Sequence, residues 1–136
     1  MRLVLDTNVI ISALWKPGSV PDQAVTAALG SGNRVLYDAR ILHEYRTVLS
    51  RPKFKRIVPA LADALVTRIA LHGEAVADVA PWTGATSDED DRMFVEVALT
   101  GRADAIVTGN VKDFPTDLGF SVHRPVQLLP LPLAGS

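Results

Sequence analysis

The sequence predicts an α/β domain whose mainly parallel central sheet is covered by helices on both faces. Short apolar runs alternate with longer segments in which apolar residues recur at helical spacing. The short runs are apolar throughout, which is typical of parallel strands that are buried on both faces. The chain has 136 residues and is 48% hydrophobic, which is enough to build one core without disulfides. We therefore expect a single three-layer α/β/α domain.

The first part of the chain is predicted to form one strand and two helices. Residues 2–5 are an apolar run that ends in Asp-Thr-Asn, as expected for a buried strand that leads into a helix cap. The first helix, 9–15, ends before Pro17. The second helix, 22–29, ends at Gly30.

The middle of the chain is predicted to form a second strand and two further helices. Residues 34–37 are the second apolar run. Apolar residues then follow helical periodicity over 41–49, and Pro52 ends this helix. The next helix, 59–72, opens with a proline and is closed by Gly73.

The last part of the chain is predicted to return from a helix to the sheet. Ser87 is expected to cap a helix that ends at Gly101, and the acids that follow Ser87 suit the positive end of the helix dipole. Residues 105–108 are a clear apolar strand, and 120–122 form a fourth short strand.

The composition limits the class of protein. The absence of Cys excludes disulfides, thiolate metal sites and a Cys nucleophile. With 14 Lys+Arg against 15 Asp+Glu, the chain is not a uniformly basic nucleic-acid binder. Its apolar runs are shorter than the roughly 18 residues that cross a bilayer, and an acid comes too early for a signal peptide. We expect a cytoplasmic protein without a membrane partner, with one domain over 1–128 and a C-terminal tail over 129–136.

Two polar side chains follow separate predicted strands and carry the first functional signal. Asp6 comes directly after the first strand, where a carboxylate loses solvation and needs a cation or hydrogen-bond donors. Thr7 or Asn8 can cap the helix instead, which leaves Asp6 free for another role. Asn110 follows a later strand. The carboxyl ends of parallel strands are where ligands bind in such folds, so both residues are expected at the functional edge.

Glu44 is a further candidate, on the helix predicted over 41–49. Helical spacing puts it on the flank of the apolar stripe rather than on the solvent-facing back. The alternative is an ordinary surface glutamate that pairs with Arg40 or Arg51.

Four consecutive acids, Asp88 to Asp91, begin the helix that follows. Helix capping does not require four adjacent carboxylates that repel one another, and a divalent cation would relieve the repulsion. Either Asp90 or Asp91 can face inward, one turn before the apolar stripe of that helix. Asp113 either joins the site or caps its own turn.

Together these acids suit metal-assisted hydrolysis of a phosphodiester, in which a cation orients water and lowers its pKa. No nucleophilic side chain accompanies them. A basic flank would hold a polyanionic substrate, although a solvated surface is the alternative interpretation. The candidate phosphate contacts are Arg46, Arg51, Lys53, Lys55 and Arg56.

Several blocks of the chain resemble the PIN-domain (PilT N-terminal) nuclease family, and in particular a VapC-like subgroup of toxins from toxin–antitoxin systems. The blocks are MRLVLDTNVIISAL at 1–14, LHEY at 42–45, LSRPKF at 49–54, DEDDRMF at 88–94 and IVTGN at 106–110. They occur in the family's order over about residues 1–128. The resemblance implies a Mg²⁺- or Mn²⁺-dependent ribonuclease with an RNA substrate, a cognate antitoxin and a homodimeric state.

The resemblance also implies roles for individual residues. Asp6, Glu44 and Asp91 match the family's first three catalytic and metal-binding acids. Asn110 stands at the fourth position, where the family usually has Asp. The remaining implied residues are the alternative metal ligands Asp90 and Asp113 and the supporting residues Thr7, Asn8 and Thr108.

Two other functions remain open. A receiver-type phosphoacceptor domain would use Asp38 as acceptor and Lys112 as counter-cation, but receivers carry a pair of acids after the first strand, and Asp6 stands alone. The second is a catalytically idle scaffold that binds RNA or a protein. Asn110 favours it, because Asn110 lacks the negative charge of the Asp that is usual at this position in the resembled family.

Overall fold

Five parallel strands form the central sheet of the structure, a computed structural model that describes residues 1–130. In this part of the chain the strands are β1 (Arg2–Leu5), β2 (Arg34–Tyr37), β3 (Glu74–Ala75), β4 (Ala105–Val107) and β5 (Ser121–His123). The α-helices of the same residues are α1 (Thr7–Trp15), α2 (Val20–Ala28), α3 (Ala39–Leu49), α4 (Pro59–His72) and α5 (Arg92–Thr100). Short 3-10 helices cover Pro52–Phe54, Glu89–Asp91, Val111–Asp113 and Pro125–Leu128.

The predicted three-layer α/β/α class is confirmed. Each described strand pairs with its neighbours in parallel, and Leu3 of β1 lies opposite Val35 of β2 and Ala105 of β4. Right-handed crossovers place α1 to α4, which connect β1, β2 and β3, on one face of the sheet. They place α5, which returns from β3 to β4, on the other face.

The strand order β3-β2-β1-β4-β5 determines where a ligand can bind. The chain moves outward from β1 to β3 and then returns to β4 on the other side of β1. This reversal opens a crevice beyond the carboxyl ends of β1 and β4, which is where such sheets bind ligands. In a receiver-type sheet the first strand lies between the second and third strands. The observed order therefore excludes the receiver interpretation.

The β1 strand lies at the centre of the core. Leu3, Val4 and Leu5 have no exposed surface, and burying a side chain of this size stabilises the fold by about 1.5–3 kcal/mol. Tyr45 of α3 is also fully buried, and its hydroxyl donates a hydrogen bond to the carbonyl of Leu5. This bond joins α3 to the carboxyl end of β1, so it places the neighbouring residue of α3, Glu44, beside the crevice.

The edge strand β3 is not among the predicted strands. It has only two residues, Glu74–Ala75, and lacks an apolar run. Its position depends on tertiary contacts: Arg2 donates hydrogen bonds of 3.1 and 2.6 Å to the Glu74 carboxylate. Gly73 precedes it where the chain passes close to β2, and a Cβ at Gly73 would lie 2.5 Å from the carbonyl oxygen of Val35.

Several predicted boundaries differ from the structure by one or two residues. The first three helices each start two residues earlier than predicted, at Thr7, Val20 and Ala39, and the last strand is shifted by one residue. The prediction of Ser87 as a cap is wrong, because the Asp88 carboxylate accepts a 2.9 Å hydrogen bond from the Asp90 N–H. The part of the predicted tail at 131–136 lies outside the described residues. No helix within 1–130 is long and apolar enough to cross a membrane.

Candidate functional site

An open cleft of about 230 Å³ lies at the carboxyl ends of β1 and β4. It brings together the four residues proposed from sequence as catalytic, which are Asp6, Glu44, Asp91 and Asn110. The alternative ligands Asp90 and Asp113 also line it, as does Asp88, which is not among the site residues predicted from sequence. The acidic run to which Asp88 belongs is the sequence signal that could have identified it.

Asp6 is the most buried acid of the cleft and is 7% exposed. It stands at the N-cap position of α1, yet its side chain makes no capping hydrogen bond. Its Oδ2 atom instead accepts a 2.7 Å hydrogen bond from Thr108 Oγ1. This bond positions one carboxylate oxygen and leaves the other for a ligand.

Backbone contacts join the loops that follow β1 and β4. Thr108 Oγ1 accepts a 3.0 Å hydrogen bond from the Asn110 N–H, and Asn8 Oδ1 accepts a 3.2 Å bond from the Gly109 N–H. Asn8 and Thr108 therefore hold the two loops together across the crevice. Thr7 Oγ1 is buried beside them and has no hydrogen-bond partner within residues 1–130.

Glu44 is half-buried on α3 and lines the same cleft. The alternative pairing with Arg40 is wrong, because Arg40 binds Asp38 at 2.8 Å and Glu96 at 2.7 Å. Arg51 lines the cleft but is in no salt bridge with any residue of 1–130. Glu44 thus faces the cleft without a bound counter-ion.

The four consecutive acids separate because they form a 3-10 turn. Glu89 turns away from the cleft and binds Arg92 at 2.8 Å. Asp88 caps the turn, Asp90 is exposed and Asp91 is half-buried, and all three line the cleft. Of the two acids that the sequence left open, Asp91 is the more enclosed.

Burial and mutual repulsion make the cleft electrostatically unfavourable for its own carboxylates. Burial raises the pKa of Asp6 above its ordinary value, despite the hydrogen bond from Thr108. Burial, followed by repulsion from Asp6, raises the pKa of Asp91 to about 7. Burial and repulsion from Asp90 raise the pKa of Glu44. Because no salt bridge within residues 1–130 includes a cleft carboxylate, a bound cation would relieve this repulsion.

The chemistry of the cleft fits a hard divalent cation. Its donors are carboxylate oxygens, with the orphaned hydroxyl of Thr7 and the amide of Asn110 beside them, and Mg²⁺ and Mn²⁺ prefer such oxygen ligands. No three His, Cys, Asp or Glu side chains of residues 1–130 are close enough to enclose an ion as they stand. Direct ligation by three of these carboxylates would require them to move towards one another, whereas one or two of them can hold an ion that keeps several waters.

The five basic residues proposed for phosphate contacts fall into two groups. Lys53 lies 5.1 Å from the ring centre of Phe54, and the guanidinium of Arg56 lies 4.4 Å from that of Trp15. These two cations lie over aromatic rings. The other three line a groove beside the cleft, and they are Arg46, Arg51 and Lys55.

Fold and site together define a parallel α/β domain with a carboxylate-lined cleft at the crevice between its first and fourth strands. The chain belongs to the PIN-domain family: the family model described as "PIN domain" matches residues 2–112. Proteins of this family are nucleases. No curated protein matches the sequence.

A solved structure supports the fold independently. The chain is similar to one in the crystal structure of VapBC2 from Rickettsia felis bound to a DNA fragment from their promoter. The TM-score is 0.58 at 15% sequence identity, and the match covers 91% of this chain and 98% of that chain. At this level of identity the similarity shows a shared fold.

Proposed function

We propose that this protein is a Mg²⁺- or Mn²⁺-dependent endoribonuclease that hydrolyses RNA phosphodiester bonds as the toxin of a toxin–antitoxin pair. The observation that carries the proposal is the convergence of Asp6, Glu44 and Asp91 from three separate elements into one cleft. These carboxylates form no salt bridge within residues 1–130 and have raised pKa values. Membership of a nuclease family supports the reaction class.

In this proposal the acids of the cleft bind the cation, and Thr108 orients one of them. Asp6, Glu44 and Asp91 would hold the cation, with Asp90 and Asp113 as further oxygen donors. When bound, Mg²⁺ or Mn²⁺ supplies neutralising charge and a water of lowered pKa next to the phosphodiester. Thr108 keeps the Asp6 carboxylate in one orientation through its hydrogen bond, as groups behind metal ligands commonly do.

Asn110 and the basic residues would position the RNA and its attacking water. The Asn110 amide can donate to a water or to a carboxylate and can also accept a hydrogen bond. Arg51 lines the cleft and is in no salt bridge within residues 1–130, so it can contact a phosphate beside the cleaved bond. The remaining candidate phosphate contacts are Arg46, Lys53, Lys55 and Arg56.

The assignment to a toxin–antitoxin pair has separate support. A solved structure that shares this fold is of VapBC2 bound to a DNA fragment from their promoter. We include a cognate antitoxin, a homodimer and a catalytic domain over residues 1–128 in the same proposal. Co-purification with the protein encoded beside this one tests the antitoxin, and light scattering of the purified chain tests the dimer.

A catalytically idle scaffold that binds RNA is the second candidate. Two observations favour it: Asn110 removes one negative charge from the cleft, and no described group of three acids encloses an ion as it stands. Such a protein would bind single-stranded RNA in Mn²⁺ without cutting it.

Cleavage of a mixed single-stranded RNA panel tests the proposal. The wild type, Asp6→Asn and Asp117→Asn are compared in Mg²⁺, Mn²⁺ and EDTA, because Asp117 is an exposed acid outside the cleft. We expect metal-dependent cutting by the wild type and the Asp117 variant, and none by the Asp6 variant. Binding without cutting by the folded wild type would favour the scaffold, and equal cutting by all three would place the reaction elsewhere.

A further inference from the structure

A second and larger concavity lies beside the acidic cleft, in a groove formed by the end of α3, the 3-10 helix Pro52–Phe54 and the start of α4. Its volume is about 470 Å³, within the range of roughly 300–1,000 Å³ that is typical of sites for small organic ligands. Most of its lining is apolar, from Leu49, Pro52, Phe54, Ile57, Ala62 and Val66. The groove therefore suits a largely apolar group of ligand size.

The charged side chains of the groove favour an anion. Arg46, Arg51 and Lys55 line it, against a single acid, Asp63. None of these three cations is in a salt bridge with any residue of 1–130. A ligand with a largely apolar body and a negative charge matches both features, and a nucleotide combines an aromatic base with a negative phosphate.

Arg51 connects the groove to the acidic cleft, because its side chain lines both. A phosphate bound at Arg51 would lie between the two sites, with its base in the groove and the next phosphodiester towards Asp6. An acidic peptide would match the charge of the groove as well. An acidic peptide would not explain why the side chain of Arg51 lines both the groove and the cleft.

We infer that this groove binds one nucleotide of a single-stranded RNA substrate, next to the phosphodiester that the cleft cuts. The inference rests on the proposed function, since it names a base-binding subsite of the same nuclease. The base would lie against the apolar wall that includes Phe54, with the Asp63 carboxylate available to accept hydrogen bonds from its edge. The Ser50 hydroxyl donates to the carbonyl of Thr47 and could also accept a bond from the base. This subsite would influence where in an RNA chain the enzyme cuts.

The direct test fills the groove without changing its charge. Ala62 lines the groove, whereas Ala64 is exposed on the same helix and does not, so Ala62→Leu and Ala64→Leu are a matched pair. Binding of a fluorescein-labelled single-stranded RNA is measured by anisotropy in EDTA, where no cleavage occurs. We expect Ala62→Leu to weaken binding about tenfold, the effect of losing one stacked base, and Ala64→Leu to bind as the wild type does. Equal binding by both variants would overturn the inference and leave the groove to a protein partner.

A second pair of variants covers the case in which Ala62→Leu does not fold. Arg46→Gln with Lys55→Gln removes two groove cations, and Arg68→Gln removes an exposed cation of α4 outside the groove. Each phosphate of a single strand that the protein neutralises adds about 0.7 to the slope of log affinity against log salt. We expect a shallower slope for the double variant only. An unchanged slope in the double variant contradicts the inference.

Calorimetric titration with Mn²⁺ separates the subsite from the proposed metal site. Ala62 does not line the acidic cleft, so folded Ala62→Leu should bind Mn²⁺ as the wild type does while its kcat/KM on RNA falls. Weaker Mn²⁺ binding by Ala62→Leu would assign the groove a structural role and overturn the inference. Absence of RNA cleavage by the wild type, with RNA binding still sensitive to Ala62→Leu, would remove the nuclease proposal and keep the binding site.

Discussion

Thr108 Oγ1 donates a 2.7 Å hydrogen bond to Asp6 Oδ2 across the crevice between β4 and β1. The bond joins residues that are 102 positions apart and holds a carboxylate that is only 7% exposed. A buried carboxylate without donors is costly, so this contact allows an acid to remain at the end of the central strand. It also leaves the second oxygen of Asp6 available to a cation.

Replacing Thr108 with Val should therefore weaken the site without removing a ligand. The variant keeps the shape of the side chain but removes the donor. We expect affinity for Mn²⁺ to fall about 10–100-fold, as for other groups that orient metal ligands. Calorimetric titration measures the change, and Thr108→Ser, which keeps the hydroxyl, is the control. Equal Mn²⁺ affinity in the Val and Ser variants would show that the hydrogen bond does not orient Asp6.

The raised pKa of Asp91 predicts how the stability of the metal-free protein depends on pH. Burial and repulsion from Asp6 raise the pKa of Asp91 to about 7, from an ordinary value of 3.8. Between these values the folded state binds more protons than the unfolded state, so the free energy of unfolding falls as the pH rises. We expect Asp91→Asn to remove part of this decline and to raise the Tm at neutral pH in EDTA.

Thermal unfolding between about pH 4 and pH 8 measures this effect, with Asp117→Asn as the control. The control should keep the wild-type decline, because Asp117 is exposed and outside the cleft. The same decline in Asp91→Asn and in the wild type would mean that Asp91 titrates normally.

Asn110 is an uncharged residue among the acids of the cleft, and Asn110→Asp adds a carboxylate there. Asn110 lines the cleft with the other candidates, so an added carboxylate should increase attraction for a cation. We expect the Mg²⁺ concentration for half-maximal RNA cleavage to fall. Asn110→Ser is the control for altering the amide without adding charge. A higher Mg²⁺ requirement in the Asp variant would mean that the amide itself is needed.

Glu96 provides a prediction about stability away from the cleft. Burial alone would raise its pKa, but hydrogen bonds from Arg40 and the Trp82 N–H outweigh burial and lower it. Removing Glu96 leaves the partly buried Trp82 N–H and the Arg40 guanidinium without this acceptor. We expect Glu96→Ala to lower the free energy of unfolding by about 1–3 kcal/mol in urea titrations. Glu96→Gln, which keeps a side-chain acceptor for both donors, should cost less; a larger loss for Glu96→Gln would contradict this assignment.

The sequence predicts the parts of the fold that depend on local apolar pattern. β1 and β4 are continuous apolar runs, so the pattern alone predicts that their ends, and with them Asp6 and Asn110, lie at one edge of the sheet. The helical period of α3 likewise puts Glu44 on the flank of its buried face. Their common cleft then follows from the rule that ligands bind beyond the carboxyl ends of parallel strands.

Features that depend on tertiary contacts were not predictable from local pattern. The strand β3 is two residues long and is held by Arg2 from the first strand. Arg40 binds Glu96, which is 56 positions away, and so is not the partner of Glu44. Asp88 rather than Ser87 caps its turn, a choice between adjacent capping residues that the sequence leaves open.

Calorimetric titration with Mn²⁺ tests the central claim, that acids from three elements form one metal site. Wild type, Asp6→Asn, Glu44→Gln, Asp91→Asn and the control Asp117→Asn are titrated under the same conditions. We predict binding by the wild type and the control, and at least about tenfold weaker binding by each of the three cleft variants, since each loses one charged ligand. Wild-type affinity in any two of those three variants would contradict a shared site.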